Sequence, residues 1–564
     1  MQQSKREKID LQVAQMETER SSFISHWRDV AKFTSPRTER IDSFDVNQGE
    51  KRNQNIIDGS AVLALRTLGA GMMSGITSPA RPWFRLTTPD PMLSEIESVK
   101  YWLDDTANRM RSVYLRSNLY KVLPITYKGI GSYATNAFLV EEDEREVVRF
   151  VPFLIGSYSI AQNEKMVVDV WHRKFRMTAR QIVQKFGMVA DSPKSINWDN
   201  ISVEVKQAWD NNNKETWFDI GHIIQPNEDY IVGNPLAKYK KYSSTYYEYG
   251  SQGSTGRDKF LLEDGYDYFP VLVPRWEVNG EDSWGTNCPA MEALGDNQQL
   301  QTGEKRSLQA IEKMINPPMI APTSMQNKRI SAIAGDITYS DIREGQSGIR
   351  SIYDIKFDIN QLEQKQQQVR QRISRYFFED LFLMLSNSDR REITAREIEE
   401  RHEEKLLALG PVLEQLNQDL LDPLVQITFA IMNKRKMLPP APPELQGQDL
   451  QIEYVSVMAQ AQKLVGLGSL ERFGTIVANA AQVNPSITDK VDGDQYIDEA
   501  ANILSIPSRV VKSDEVVAGI RAQRQQQAQA QAQAEQMKMN ASAAKDLAQT
   551  TPNDGSILKQ VLGQ

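Results

Sequence analysis

The first strong pattern along the chain has a helical period. Ile9, Val13, Met16, Phe23, Trp27 and Val30 recur at near-helical spacing with charges between them, which predicts a helix over residues 5–34. After a polar loop, "IIDGSAVLALRTLGAGMMSGITSPARPWFRL" (56–86) reads as a helix, a small-residue segment and a proline-containing turn into a strand. A further helix is predicted in "MLSEIESVKYWLDDTANRMRSVYLRS" (92–117). From 133 to 280 the period changes. "EVVRFVPFLIGSYSIA", "KMVVDVWHRKFRM", "WFDIGHII", "YSSTYYEYG" and "YFPVLVPRWEV" are β-branched or aromatic runs bounded by Gly, Asn, Asp and Pro, the signature of strands. "TARQIVQKFG" (178–187) is a short helix among them.

At 287 the helical period returns. Pro289 suits a first helical turn, and Met291, Leu294, Leu300, Leu308 and Ile311 mark a loose apolar stripe. An insert at 315–357 follows, with prolines and short strand-like runs, and 360–385 is helical again, with Leu362, Val369, Ile373, Phe377 and Leu381 on one side. After the polar "SNSDRRE", a long helix opens at Thr394, where Thr394 and Glu397 have the spacing of a capping box. Leu406, Leu409, Leu413, Leu416, Leu420, Leu424 and Ile427 continue it at steps of three and four, with kinks expected at Gly410–Pro411 and Pro423. A proline-rich break, a strand ("LQIEYVS") and short helices lead to about 520. The Gln/Ala-rich "RAQRQQQAQAQAQAEQMKM" has helix-forming composition but no large apolar stripe, so it needs a partner to be a stable helix.

The 564 residues exceed one core, and 40% hydrophobic with 25% charged residues is a globular balance. The net charge of −8 argues against gripping nucleic acid over the whole surface, because phosphate affinity comes from cations. Cys288 is the one cysteine, so there is no intrachain disulfide or CxxC motif, and His26, His172, His222 and His402 are scattered. "MQQSKREKID" lacks the apolar core of a signal peptide, and no apolar run approaches the ~18 residues of a membrane span. The expectation is a protein made and used in a reducing cytoplasm, or in something assembled there.

Motifs for catalysis fail one by one. "GAGMMSG" (69–75) lacks the Lys-Ser/Thr ending of a phosphate loop and reads as close helix packing; Ser74 is outside a G-x-S-x-G context. "RHEEK" (401–405) lacks the second histidine of a zincin, leaving His402 a solvated helix residue. In "DGDQYIDE" (492–499) Tyr496 occupies a calcium-ligand position, so a helix N-terminus is the better reading, and "EEDE" (141–144) is a charged turn. No catalytic residue, metal site or cofactor is implied. The cations Lys365, Arg370, Arg372 and Arg375, with Arg390 and Arg391 in the following loop, have two readings. They form a solvated face with intrahelical pairs, or a few contacts to a polyanion that must slide.

The order of these elements resembles the portal, or head-to-tail connector, proteins of short-tailed bacteriophages. So do "LGAGMMSGITSPARPWFRL", "GSYATNAFLVEED", "FRMTARQIVQKFG", "WGTNCPAMEALGDNQQL", "TAREIEERHEEKLLALGPVLEQLNQDLLDPLV" and "SIPSRVVKSDEVVAGIRAQRQQQAQ". The resemblance implies an α+β portal fold: a mixed α/β wing (1–286), stem helices (287–314 and 358–384) around a small α/β clip (315–357), and a channel loop (385–393). A long kinked wing helix and linker (394–453), a mainly helical crown (454–530) and a Gln/Ala-rich barrel or disordered tail (531–564) complete it. It implies a ring of about twelve subunits at one capsid vertex of the virion, assembled in the host cytoplasm. The ring would be a channel for double-stranded DNA and a platform for terminase and then the tail adaptor, touching major capsid and scaffolding proteins and no membrane. Asn387, Ser388, Asp389, Arg390 and Arg391 would be the DNA channel loop, fixed by the Thr394/Glu397 cap. Lys365, Arg370, Arg372 and Arg375 would be candidate channel-lining residues of the stem. A stem helix of about 25 residues is about 38 Å long, and its apolar stripe is expected to exceed what one hairpin buries. A ring-shaped tail adaptor and a nucleic-acid-processing enzyme are the alternatives.

Overall fold

Helix α1 (Lys5–Thr34) opens at a capping box in which Ser4 and Glu7 satisfy each other's backbone N–H groups. It buries Ile9, Val13, Met16, Trp27 and Val30, the predicted stripe. The computed structural model describes residues 4–38, 41, 51–90, 93, 96–189, 192–249, 260–315, 319–320, 350–351, 359–387, 409–445, 450–454, 472–482, 490–503, 511–512 and 514–549. Within these the chain forms two compact units: residues 1–84, 107–438 and 454–462, and residues 85–106, 439–453 and 463–564.

The first unit holds two main antiparallel sheets. Strands β4 (Tyr158–Gln162), β5 (Val168–Thr178), β8 (Trp217–Pro226), β9 (Tyr242–Glu248) and β10 (Leu262–Tyr266) form one sheet in the order β10-β9-β8-β5-β4. Strands β2 (Ala137–Asp143), β3 (Val147–Phe153) and β11 (Val271–Leu272) form the other, with β2 central. Smaller pairs are β6 (Met188–Val189) with β7 (Ser192–Ile196), and β12 (Met319–Ile320) with β13 (Arg350–Ser351). The core between them is aromatic. Trp27, Trp284, Tyr158, Trp171 and Phe153 pack in one cluster, with Trp27 edge-on to Trp284 at 5.1 Å.

Helices α2 (Ser60–Ile76), α3 (Glu97–Arg116) and α4 (Leu119–Tyr133) follow α1. The small residues of α2 are there for close approach: a Cβ on Gly71 would collide with the ring of Phe382, and one on Gly69 with Lys128. Helix α4 was not legible in the periodicity. It contains Pro124, Gly129 and Gly131, and burial of Leu119, Val122, Leu123, Tyr127 and Ile130 overrides its poor propensity. Between β5 and β6, Thr178 and Gln181 form a second capping box, and Val183–Gly187 widens into a π turn.

After the Pro289–Glu292 turn, which has its proline in the first turn as predicted, come α5 (Leu294–Ile315), α6 (Ile359–Tyr376) and α7 (Glu379–Asn387). The single helix predicted for 360–385 is in fact broken at Phe377–Phe378, with Phe378 at φ 52. Its apolar side is also buried inside the chain, contrary to expectation: Val369, Ile373, Phe377 and Leu381 are all covered. The uncovered stripe lies instead on the far end of α5, where Leu308, Met314 and Ile315 are 56%, 43% and 79% exposed. Residues 409–416 are helical straight through Gly410–Pro411; the irregularity is a π turn, Asn417–Leu421, ahead of α8 (Asp422–Lys434). Pro423 supplies no N–H to the preceding turn, which widens to accommodate it.

In the second unit, β1 (Phe84–Thr87) pairs with β14 (Gln451–Tyr454), and the Trp102 indole donates to the Pro439 carbonyl at 3.0 Å. Residues 472–482 are helical, and α9 (Gly493–Ile503) begins where Asp492 accepts from the N–H groups of Asp494 and Gln495. The acidic rhythm at 492–499 is therefore a helix N-terminus. Helix α10 (Asp514–Gln549) takes in the Gln/Ala-rich segment, and Arg521 grips Asp494 in two hydrogen bonds.

Candidate nucleic-acid interface

Helices α5 and α6 lie side by side and are tied to the segment that starts α2. Gln301 Oε1 accepts from the N–H groups of Ile57 (2.7 Å) and Asp58 (2.9 Å), while its Nε2 donates to the Asp58 carbonyl. The Arg370 guanidinium donates to Asp58 (2.8 Å) and to Glu304 (2.6 Å). Burial pushes the Asp58 carboxyl up, but hydrogen bonds from Ser60 and Arg370 outweigh it and hold the group below its usual range. Gln366 donates to Ser307, whose hydroxyl donates in turn to the Gly303 carbonyl. Arg372 binds Asp296 through two hydrogen bonds, 3.0 and 2.8 Å.

Of the four helix cations predicted to face a polyanion, Arg370 and Arg372 are thus neutralised by carboxylates of α5 and of the segment before α2. The earlier reading of intrahelical pairs has the right idea and the wrong partners, since these pairs join different elements. Lys365 and Arg375 are exposed and make no ion pair among the described residues. Sequence reasoning missed Lys305 and Arg306, which are exposed on α5; the run "EKR" at 304–306 was the available signal. Between these cations the outer faces carry amides: Gln298, Gln299 and Gln309 on α5, and Gln364, Gln367, Gln368 and Gln371 on α6 are exposed. Such a surface carries hydrogen-bonding amides with little fixed charge between its cations.

Helix α7 leads to the predicted channel loop. The Ser374 hydroxyl donates to Glu379, joining α6 to the start of α7, and Phe382 fills the notch at Gly71. Asn387 is the last residue of α7. Ser388, Asp389, Arg390 and Arg391, the cap pair Thr394 and Glu397, and His402 lie outside the described residues.

No chemistry is assembled elsewhere in what is described. No three His, Cys, Asp or Glu residues are grouped to hold a metal among the described residues. His172 and His222 are buried in the five-stranded sheet, His172 bonded to the hydroxyls of Tyr247 and Tyr249 and His222 to Ser244. Cys288 is buried, which pushes its thiol up to about 12. The "EEDE" run splits: Glu141, Glu142 and Asp143 belong to β2, and Asp143, its last residue, shapes the following turn by accepting from the N–H groups of Arg145 and Glu146. No described helix is long and apolar enough to cross a membrane.

The described residues thus present a mixed α/β body carrying paired, amide-faced helices with an uncovered apolar end. The family model described as bacteriophage head to tail connecting protein matches residues 6–511, and the chain belongs to that family. It is 44% identical to the "Portal protein" of Salmonella phage epsilon15 over 561 residues, covering all of this chain and 98% of that protein. It is 39% identical to the "Probable portal protein" of Bordetella phage BPP-1 over 510 residues, 90% of this chain and 89% of the relative. The fold is accordingly an α+β portal fold, and the family is one of connectors, not enzymes.

Proposed function

We infer that the chain forms a closed ring of about twelve copies at one capsid vertex, the channel through which double-stranded DNA is packaged and ejected. The observation that carries this reading is the end-to-end match to a phage portal protein. The uncovered stripe at Leu308, Ile311, Met314 and Ile315 supports it, since a soluble chain leaves such a stripe bare only where another surface covers it. In this reading 1–286 is the wing, 287–314 and 358–384 the stem, 315–357 the clip, 394–453 the wing helix and linker, and 454 onward the crown and tail. The clip would dock terminase and then the tail adaptor, while other surfaces meet capsid and scaffolding proteins during assembly in the host cytoplasm.

The loop of Asn387, Ser388, Asp389, Arg390 and Arg391 would line the constriction, with Thr394 and Glu397 fixing its base. Lys365 and Arg375 suit transient phosphate contact; Arg370 and Arg372 suit holding the stem together. Packaging with rings carrying Arg390→Ala and Arg391→Ala tests this. Retained genome length should fall, more so at higher salt, while rings still assemble. Wild-type retention would reduce the loop to a helix connector. A tail-adaptor reading is less well supported, because the relatives that match nearly end to end bear the portal name.

A further inference from the structure

A cavity of about 350 Å³ lies in the first unit, walled by the turn from β4 into β5, the start of β9, residues 269–280 and the π turn at Asn417–Leu421. That volume is at the small end of what proteins use for small-molecule ligands. Its walls are held in place from within. Arg275 donates to Asp419, to Gln162 and to the Met166 carbonyl, which ties the 269–280 segment to the π turn and to the β4–β5 turn. The β4–β5 turn is closed by Asn163, whose Oδ1 accepts from the N–H groups of Lys165 (2.9 Å) and Val167 (3.2 Å). Val168, Val271, Leu272 and Val273, all buried, supply the apolar wall.

One charged group of this wall lacks an opposite charge. Asp169 is half-buried and makes no ion pair among the described residues. Arg275 and Asp419 neutralise each other, and Lys165 stands exposed on the turn. Burial lifts the Asp169 carboxyl above its usual range and Glu164 acts in the same direction, while the Asn163 amide and the N–H of Asp169 itself favour the charged form. A cation placed against this carboxylate would relieve a desolvation penalty that an exposed one does not carry. An aromatic pair lines the same cavity: the rings of Tyr242 and Phe269 lie 5.5 Å apart, inclined by 52°. The Asp169 charge acts on the Tyr242 phenol, which puts carboxylate and ring close together. Tyr242 already draws a cation of the chain, Lys241, whose Nζ is 5.7 Å from the ring centre.

We propose that this cavity binds a primary alkylammonium group, its nitrogen on the Asp169 carboxylate and its carbons against Tyr242, Phe269 and the valines. A carboxylate beside aromatic rings favours an organic cation, because the carboxylate and the ring quadrupoles attract the same charge. A bare metal ion would need several convergent oxygen ligands, and no such group is present among the described residues. An anion would meet Asp169 and Glu164, and an uncharged apolar molecule would bury the carboxylate further without giving it a partner. The ammonium is carried either by a free amine or by a lysine side chain of another protein, and the site meets both with the same groups.

Isothermal titration of the full-length chain with n-hexylammonium chloride, at constant ionic strength, should show a single saturable site per chain. n-Hexanol, the same body without the charge, should bind roughly tenfold more weakly or worse. Asp169→Asn should weaken hexylammonium by a similar factor with the thermal unfolding curve unchanged, and Tyr242→Leu should weaken it by about threefold. Asp229→Asn, which removes an exposed carboxylate from the loop after β8, should leave binding as it is. Nα-acetyl-lysine methylamide is titrated in parallel: tighter binding than hexylammonium assigns the site to a protein-borne lysine, weaker binding to a free amine. Hexylammonium that never saturates, or that binds Asp169→Asn as well as wild type, overturns the proposal. So does hexanol binding as tightly as hexylammonium, which would make the cavity a purely apolar one. That comparison is made on the wild-type chain, so it decides even if Asp169→Asn does not fold.

Discussion

Helices α1 and α10 are the two longest described, at 30 and 36 residues, and they are held by opposite means. Helix α1 packs Trp27 and Ala31 into a core that also contains Trp171 and Trp284, and Ile9 and Val13 into a second one with Ile223, Tyr247 and Phe260. Helix α10 has every described side chain exposed from Arg521 to Ala543, including Met537 and Met539. A helix about 54 Å long with no buried side over that stretch is stable only with help from outside it. The contrast teaches where the free energy sits. The β-rich body buries its apolar residues within one chain, whereas the end of α5 and the Arg521–Ala543 stretch of α10 leave theirs exposed.

Breaking the body should therefore have the largest effect. Trp284→Ala removes a fully buried indole that stacks on Tyr158 and meets Trp27 edge-on, and should cost about 3–5 kcal/mol, read as lost stability in denaturant titration of the dissociated chain. Arg275→Ala comes next. Arg275 is 3% exposed and holds Asp419 through two hydrogen bonds, at 2.9 and 3.1 Å, besides contacts to Gln162 and the Met166 carbonyl. Removing it strands a nearly buried carboxylate at a cost of about 3 kcal/mol or more. Arg275→Met with Asp419→Leu should recover much of that loss, which a double-mutant cycle measures.

The buried histidines give the body a pH dependence. Burial first, then the cations of Arg20, Lys174 and Arg6, lower the His172 pKa to about 3 from 6.5, and burial acts in the same direction on His222. The folded state therefore refuses a proton that the unfolded chain accepts. Stability is fully present above pH 6.5 and falls as pH drops toward 3, by about 3 kcal/mol at pH 4 for His172 alone. Denaturation midpoints measured from pH 7 to pH 4 should follow that slope, and His172→Phe should flatten it.

At the other end of the comparison, Met537→Ser with Met539→Ser should change the stability of the dissociated chain by less than about 0.5 kcal/mol, as surface substitutions do. Any loss should appear only in the assembled state, measured as a lowered dissociation temperature.

The same contrast governs how much could be read from the sequence. The α1 stripe, the α2 small-residue packing, Pro289 in a first turn and most strands of the large sheet follow from local pattern, because their own residues decide them. Helix α4 was hidden by Pro124 and two glycines, and its identity comes from the core around it. The break at Phe377–Phe378 was hidden because the apolar period runs through it; packing of Phe382 against Gly71 and Phe378 against Trp276 sets it. At the candidate interface the cations were legible as residues but their partners were not. Asp58, Asp296 and Glu304 lie 312, 76 and 66 positions away from the arginines they hold.

The central claim is that surfaces left bare within one chain are covered by copies of the same chain. Mass photometry of the purified full-length protein, with folding checked by circular dichroism on the same sample, tests it most directly. The account predicts one dominant species near twelve times the 64.1 kDa chain mass. A folded protein that stays monomeric or dimeric across micromolar concentrations would contradict it.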